Sequence, residues 1–167
     1  MTKNYSLLIA PTIMGPLGAG FAGDKIGRVW LPGLTRREIE SQMENWAGAF
    51  EQAENENLAE RMARYFLGER VEFDDPVELT GFSPFAKKVL TTLRKTRWGQ
   101  TVTYAELASA SGSKGADRAV GGVMALNPAP LIIPCHRVVR SDGAPGGFSA
   151  PGGVKTKLKM LELEGSR

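Results

Sequence analysis

The chain of 167 residues has one cysteine, one histidine and no long apolar run. A single cysteine excludes an intrachain disulfide, and one Cys with one His cannot supply the three or four ligands of a zinc site. No stretch approaches the roughly twenty apolar residues of a membrane helix. The first residues lack the charged-then-apolar order of a signal peptide. Since a free thiol fits a reducing compartment, we expect a cytoplasmic protein with no metal site and no membrane contact.

Charge is unevenly distributed along the chain. Residues 1–79 carry 8 Lys or Arg and 13 Asp or Glu, a net charge of −5, whereas residues 80–167 carry 13 and 5, a net charge of +8. A basic half favours a polyanionic partner such as nucleic acid. The alternative is that the acidic lobe and the basic lobe attract each other, which explains the same net charges without a polyanionic partner.

The hydrophobic pattern predicts a mixed α/β (α+β) fold in two lobes, residues 1–79 and residues 80–167. In the first, small lobe, alternating apolar residues predict three strands, followed by two amphipathic helices. Thr35 and Glu38 have the spacing of a capping box before the first helix. The predicted strands span residues 5–10, 17–22 and 26–31, and the predicted helices span residues 36–50 and 57–67.

The second lobe is predicted to be mainly helical. Ser83 and Pro84 are typical of a helix start, and Thr103 with Glu106 forms a second capping box. Two short helices, over residues 104–110 and 116–126, are joined by a glycine-containing turn, which is typical of a helix-turn-helix. A last helix is predicted over residues 154–164, with three lysines (Lys155, Lys157 and Lys159) on it.

Two segments of this lobe contain unusual numbers of glycines. Gly121 and Gly122 let another backbone approach the second short helix, either a DNA phosphate or a strand of this chain. The loop at residues 146–153 is glycine-rich but lacks the Lys-Ser/Thr ending of a P-loop, so nucleotide binding is not expected. Its backbone amides could approach a substrate closely.

The cysteine and the histidine are adjacent, at Cys135 and His136, after the apolar segment 131–133. The thiolate is the reactive form of cysteine, and the neighbouring His136 and Arg137 favour its formation. In a regular strand the two side chains would point to opposite faces. Proton transfer between them would then need a bend after Pro134 or a bridging water, and we expect the water. The alternative is a buried structural cysteine.

The segment Pro134-Cys135-His136-Arg137-Val138-Val139 resembles the signature of the O6-alkylguanine-DNA alkyltransferases (methylated-DNA–protein-cysteine methyltransferases). The resemblance extends over residues 83–165. Its further segments, in order, are Thr103-Tyr104-Ala105-Glu106-Leu107-Ala108, Arg118-Ala119-Val120-Gly121-Gly122, Asn127-Pro128, Gly147-Phe148-Ser149 and Leu163-Glu164-Gly165.

The resemblance implies a DNA repair protein that transfers the alkyl group of an O6-alkylguanine in duplex DNA irreversibly to Cys135. Each molecule would act once, as a monomer, on a base flipped out of the helix. His136 would act as the base through a water, oriented by Glu164, and Tyr104 would donate a proton or hydrogen bond to the departing guanine. No cofactor is implied, because the lesion itself supplies the alkyl group.

The resemblance also implies the contacts with DNA and with the base. Arg118 would fill the vacated space as its helix enters the minor groove, and Thr103, Ala119 and Gly121 would contact the DNA. Val138, Ser149 and the carbonyl of Cys135 would bind the edges of the guanine through the backbone. Phe148 would stack on the base, and Asn127 would support the turn at the active site.

The sequence departs from the family pattern at three points. Phe148 stands where many members have tyrosine, Arg97 replaces a common proline, and the loop segment at residues 150–153 is longer than usual. Three other functions are compatible with parts of the sequence. They are a non-catalytic sensor of alkylated DNA that recruits other repair factors, a cysteine hydrolase, and a helix-turn-helix regulator with a structural cysteine.

Overall fold

A computed structural model describes residues 3–167. The chain divides into two compact units, of which the first ends at Glu78 and the second begins at Leu79. Both contain helices and strands, which gives the mixed α/β class that the sequence predicts. No helix within residues 3–167 is both long enough and apolar enough to cross a bilayer.

The first unit is a four-stranded sheet with two helices. Its strands are β1 (Tyr5–Thr12), β2 (Gly15–Ala22), β3 (Lys25–Trp30) and β4 (Glu51–Gln52), in the order β3-β2-β1-β4. The first three strands are antiparallel, and β4 pairs in parallel with β1. Helices α1 (Arg36–Ala47) and α2 (Glu56–Phe66) follow β3 and β4.

Glycines in β2 allow α1 to lie close to the sheet. A Cβ on Gly18 would come within 2.5 Å of Ile39, and one on Gly20 would come within 2.9 Å of Trp46. The capping box of Thr35 and Glu38 is confirmed. The predicted helix end at residue 50 is wrong, because Gly48 adopts a φ of 75° and the helix ends at Ala47.

The second unit contains the helix-turn-helix. Its elements are α3 (Pro84–Leu93), β5 (Val102–Thr103), α4 (Tyr104–Ala110), α5 (Asp117–Ala125), a 3₁₀ turn (Cys135–Arg137), β6 (Val138–Val139) and α6 (Val154–Leu163). The hydroxyl of Ser83 accepts a hydrogen bond from the Ala86 N–H, and Thr103 and Glu106 form the predicted capping box. Buried Leu90, Leu107 and Val123 belong to the core of this unit.

The apolar segment before the cysteine is not a regular strand. Leu131 has a φ of 78°, and an isolated bridge joins Pro130 to Ile133. Cys135 and His136 then begin the 3₁₀ turn, so the chain bends directly after Pro134 and the pair does not lie in a strand. Extended structure resumes in β6, which pairs in parallel with β5.

Candidate active site

A tight backbone turn presents Cys135. Pro134 has φ −80° and ψ 67°, and the Cys135 N–H donates to the Ile133 carbonyl at 2.8 Å. Asn127 fixes the preceding segment: its Nδ2 donates to the Ile133 carbonyl at 2.9 Å, and its Oδ1 accepts from the Ala129 N–H at 3.1 Å. The cysteine is 7% exposed. The turn therefore holds a nearly buried thiol in a fixed position.

The surroundings of the thiol act on its pKa in two directions. Burial raises the pKa of Cys135, whereas Asn127, the cation of Lys157 and nearby backbone N–H groups lower it. Because burial has the largest effect, the pKa lies above its ordinary value. The resting form at neutral pH is therefore a thiol whose proton must leave during a nucleophilic attack.

His136 faces Glu164 across the end of α6. The ring is fully buried, and its Nε2 is in hydrogen-bond contact with Oε2 of Glu164. Burial lowers the pKa of His136, although the contact with Glu164 opposes this shift. The imidazole is thus neutral at neutral pH and able to accept a proton. Since Glu164 occupies Nε2, a proton from the thiol side would arrive at Nδ1.

Arg137 supports the same carboxylate rather than the thiol. Its Nε donates to Oε1 of Glu164 at 2.8 Å, and its Nη1 donates to the Thr96 carbonyl at 2.7 Å. The Gly99 N–H also points to Oε1 of Glu164, at 3.3 Å. The expectation that Arg137 acts on Cys135 is therefore wrong: the 3₁₀ turn directs its side chain to α6 and the loop at residues 96–99.

Lys157 is a buried residue of the site that the sequence analysis did not identify. Its Nζ donates to the Val138 carbonyl at 2.5 Å and to the Gly147 carbonyl at 3.3 Å. Burial lowers its pKa to about 8, although Cys135 opposes the shift. In the sequence it is one of the three lysines on the last predicted helix. One sequence signal could have identified it: Lys157 precedes Leu161 by four residues, so both lie on the same face of α6, and Leu161 is buried.

A cavity of about 620 Å³ opens above the cysteine. It brings together six of the residues predicted from the sequence, namely Tyr104, Arg118, Gly121, Cys135, Phe148 and Ser149. The chain contributes to its lining from four places: α4 with α5, the turn of Cys135, the segment of Arg140 and Ser141 after β6, and the glycine-rich loop. The volume is in the range of small-molecule sites.

Tyr104 lies at the start of α4, beneath the glycine-rich loop. A Cβ on Gly146, which has a φ of 75°, would come within 2.8 Å of its Oη. The loop can therefore approach the phenol only with glycine at this position. Burial and the proximity of Cys135 raise the pKa of Tyr104, while Arg140 lowers it. The phenol is protonated at neutral pH and can donate a hydrogen bond into the cavity.

Helix α5 presents an open face. Arg118 and Ala119 are exposed. A Cβ on Gly121 would make an ordinary 3.9 Å contact with Tyr104, and across residues 3–167 nothing from outside the helix comes within 4 Å of the Cβ position of Gly122. The glycine pair is therefore not needed for packing within the protein, which favours approach by an external backbone.

Six residues of the predicted site do not line the cavity, and two of them are His136 and Glu164, which contact each other. Asn127 lies behind the cysteine turn and Thr103 caps α4. Ala119 faces outward, and Val138 is buried with its carbonyl bonded to Lys157. The Cys135 carbonyl accepts from the Val138 N–H. A carbonyl oxygen has two lone pairs, so both carbonyls retain capacity for a further donor. Within residues 3–167, no cluster of His, Cys, Asp or Glu side chains is arranged to hold a metal ion.

The fold and the site together define a class of protein. Helices α4 and α5 line a cavity that the thiol of Cys135 also lines, and the next residue, His136, contacts the buried carboxylate of Glu164. This arrangement is typical of a protein that combines a nucleic-acid-binding element with a reactive thiol, because an imidazole and a carboxylate are the groups that commonly accompany a nucleophile.

Comparisons with known proteins agree with this class. Residues 84–166 match the family described as 6-O-methylguanine DNA methyltransferase, DNA binding domain. A methylated-DNA–protein-cysteine methyltransferase of Metallosphaera sedula is 46% identical over 110 residues, which cover 65% of this chain and 67% of the relative. A protein of the same name from Methanothermobacter thermautotrophicus is 44% identical over 104 residues, which cover 61% of this chain and 57% of that relative.

Solved structures are similar over nearly the whole chain. The O6-methylguanine methyltransferase of Mycobacterium tuberculosis is 29% identical, with a TM-score of 0.77 over 98% of this chain and 94% of that one. A structure of OGT from the same organism in complex with DNA is 30% identical, with a TM-score of 0.76 over 98% and 93%. The chain belongs to the methylated-DNA–protein-cysteine methyltransferase family.

Proposed function

We propose that this protein repairs DNA by transferring the alkyl group of an O6-alkylguanine to Sγ of Cys135. The observation that carries the proposal is a cavity lined by Cys135 and by residues of α4 and α5. His136 follows Cys135 in the same 3₁₀ turn and contacts Glu164. DNA is the partner of the protein, and an O6-alkylated guanine in a duplex is the proposed substrate. We also propose that the protein acts as a monomer, since one chain carries Cys135, His136 and Glu164.

The chemistry is a displacement at the alkyl carbon. Sγ of Cys135 forms a bond to that carbon, and the bond between the carbon and guanine O6 breaks with its electron pair on guanine. The thiol proton passes through a water to His136, whose buried position beside Glu164 favours a neutral, accepting ring at the start. Removing the proton as the bond forms generates the thiolate where it is needed.

The departing guanine needs a proton or a hydrogen bond. Tyr104 lines the cavity with a phenol kept protonated by burial, which supports its role as that donor. The proton that guanine gains balances the one that Cys135 loses. The thioether product is inert and no step restores the thiol, so each molecule acts once.

Binding of the base follows from the walls of the cavity. Phe148 offers a ring for stacking, and Ser149 lies beside it in the same loop. The carbonyls of Cys135 and Val138 are candidate acceptors for the guanine edge. Asn127 supports the site from behind through its bonds to the segment at residues 129–133.

Access to the target carbon requires the base to leave the duplex. Exposed Arg118 lies on α5 at the edge of the cavity and can occupy the space that the base vacates. Thr103, Ala119 and Gly121 lie on or next to the two short helices and would contact the DNA around it. The helix enters the minor groove with its open glycine face towards the backbone.

The sensor alternative is not favoured, because such a protein needs neither the nucleophile nor the buried histidine and carboxylate behind it. A reducing, cytoplasmic location is proposed because the reaction consumes a free thiol.

The direct test replaces Cys135 with serine. We expect Cys135→Ser to bind duplex DNA containing O6-methylguanine with wild-type affinity and to transfer no methyl group. Binding is measured by fluorescence anisotropy, and transfer by loss of a radiolabelled methyl group from the DNA. Transfer by the serine variant would contradict the assignment of the nucleophile.

A further inference from the structure

A second arginine lines the cavity and has no role in the reaction proposed above. Arg140 follows β6 directly, on a different segment from Arg118, which belongs to α5. The two guanidinium groups therefore reach the cavity from different elements. The acidic Asp117 also lines the cavity, next to Arg118 on α5.

The backbone of Arg140 is held rigidly. Its N–H donates to the Ala144 carbonyl at 2.9 Å, and its carbonyl accepts from the Gly143 N–H at 3.0 Å. Asp142 closes the same turn by accepting from the Ala144 N–H at 3.0 Å. Gly143 has a φ of 84°, which favours glycine at this position of the turn. The turn thus fixes where the side chain of Arg140 starts.

The side chain of Arg140 is exposed and makes only a weak ion pair. Its Nη2 lies 3.2 Å from Oδ2 of Asp142, with 62% of the arginine side chain and 58% of the aspartate side chain exposed. An ion pair as exposed as this one contributes at most about 1 kcal/mol. A stronger anion at the mouth of the cavity can therefore replace Asp142 as the partner of Arg140.

A flipped-out nucleotide brings such an anion. Its base enters the cavity, but its sugar remains joined to phosphates on both sides, which must pass the cavity mouth. A guanidinium group binds phosphate through two parallel hydrogen bonds.

We propose that Arg140 binds a backbone phosphate of the flipped-out nucleotide and so positions the alkylated base over Cys135. This proposal rests on the proposed function of the site. Arg140 is a positioning residue for nucleotides within DNA, and it contributes nothing to the reaction of a free base.

The experiment compares wild type, Arg140→Ala and Arg140→Lys on three substrates. These are a duplex with one O6-methylguanine, the same duplex with uncharged methylphosphonate linkages on both sides of the lesion, and free O6-benzylguanine. Lys88→Ala is the matched control, because Lys88 is an exposed cation of α3 that does not line the cavity. Single-turnover rates, and affinities for the natural duplex, are measured at several salt concentrations.

We expect Arg140→Ala to react with the natural duplex about tenfold more slowly, the effect of losing one charge-assisted hydrogen-bonded contact. Its reaction with free O6-benzylguanine stays at the wild-type rate. The methylphosphonate duplex slows the wild type but slows Arg140→Ala no further. The dependence of log affinity on log salt falls by about 0.9, Arg140→Lys recovers part of the rate, and Lys88→Ala reacts with each substrate like the wild type.

Equal slowing of Arg140→Ala on the duplex and on the free base would overturn the proposal and assign Arg140 to the cavity chemistry. Additive effects of Arg140→Ala and the methylphosphonates would also overturn it, because the phosphate would then have another partner. A wild type that reacts with none of the three substrates would instead refute the proposed function. The free-base reaction of Arg140→Ala also shows that the variant is folded.

Discussion

Glu164 contacts His136 although 28 residues separate them, and both side chains are almost completely buried. The same carboxylate accepts a hydrogen bond from Nε of Arg137. One residue at the end of α6 therefore contacts two consecutive residues of the cysteine turn. The orientation of the base and the anchoring of the C-terminal helix therefore depend on the same carboxylate.

Glu164→Gln tests this double dependence. The glutamine keeps the shape but leaves the buried guanidinium of Arg137 without its counter-ion, which typically costs about 3–5 kcal/mol. We expect the free energy of unfolding to fall by about that amount. We also expect the rate of alkyl transfer to fall by about 10- to 100-fold on duplex DNA and on free base alike, because the base is misoriented. Denaturant unfolding and single-turnover rates measure the two effects.

The control for this variant is Glu162→Gln. Glu162 is an exposed carboxylate on α6 that lies 3.5 Å from Lys159. We expect near wild-type stability and rate, since exposed pairs contribute little. Equal losses of stability and rate in both variants would mean that removing any acidic charge from this helix causes the effect, and would contradict the specific role of Glu164.

Arg118→Ala separates base flipping from chemistry. Extrusion of a base costs a few kcal/mol, and a residue that fills the gap offsets that cost. We expect the variant to react with O6-methylguanine in a duplex about 100-fold more slowly and with free O6-benzylguanine at the wild-type rate. Arg97→Ala, which removes an exposed arginine outside the cavity lining, should change neither rate. Similar losses on both substrates would remove the flipping role of Arg118.

The buried cation of Lys157 makes stability depend on pH. Its pKa is lowered from 10.5 to about 8 in the folded protein, so the unfolded chain binds the proton more tightly. The charged form therefore opposes folding below pH 8, and this penalty disappears as pH rises from 8 to 10.5. We expect the stability of Cys135→Ser relative to Cys135→Ser/Lys157→Met to increase across that range.

The serine background for the lysine experiment removes titration of the thiol, which acts on Lys157. Methionine retains the apolar stem of the lysine side chain. Urea unfolding at half-unit pH intervals measures the difference. A stability difference that stays constant between pH 8 and 10.5 would show that Lys157 keeps its ordinary pKa when buried.

Local chemistry predicted the helix starts well. The capping boxes at Thr35 and Thr103 and the cap at Ser83 were predicted because each depends on residues three positions apart. The strand pair of β5 and β6 was not predicted. Each strand has two residues, and their parallel pairing joins segments more than thirty residues apart. No periodic pattern marks such a contact.

The composition of the site was predicted more completely than its geometry. The resemblance supplied Cys135, His136 and Glu164 as a set, but the residues alone suggested a strand and an arginine directed at the thiol. The turn at Cys135 depends on distant bonds, including those of Asn127 and those between Arg137 and Thr96. Lys157 was missed because a lysine on a helix is normally exposed, and its buried partners are backbone carbonyls that carry no sequence signal.

The central claim is that Cys135 receives the alkyl group, and intact-protein mass spectrometry tests it most directly. The protein is incubated with an excess of duplex DNA containing one O6-methylguanine, and the product is digested to map the modified residue. We expect a gain of one methyl group per molecule, located on Cys135 and unchanged by longer incubation. An unchanged mass from folded protein that still binds the lesion would contradict the account and identify a sensor of alkylated DNA.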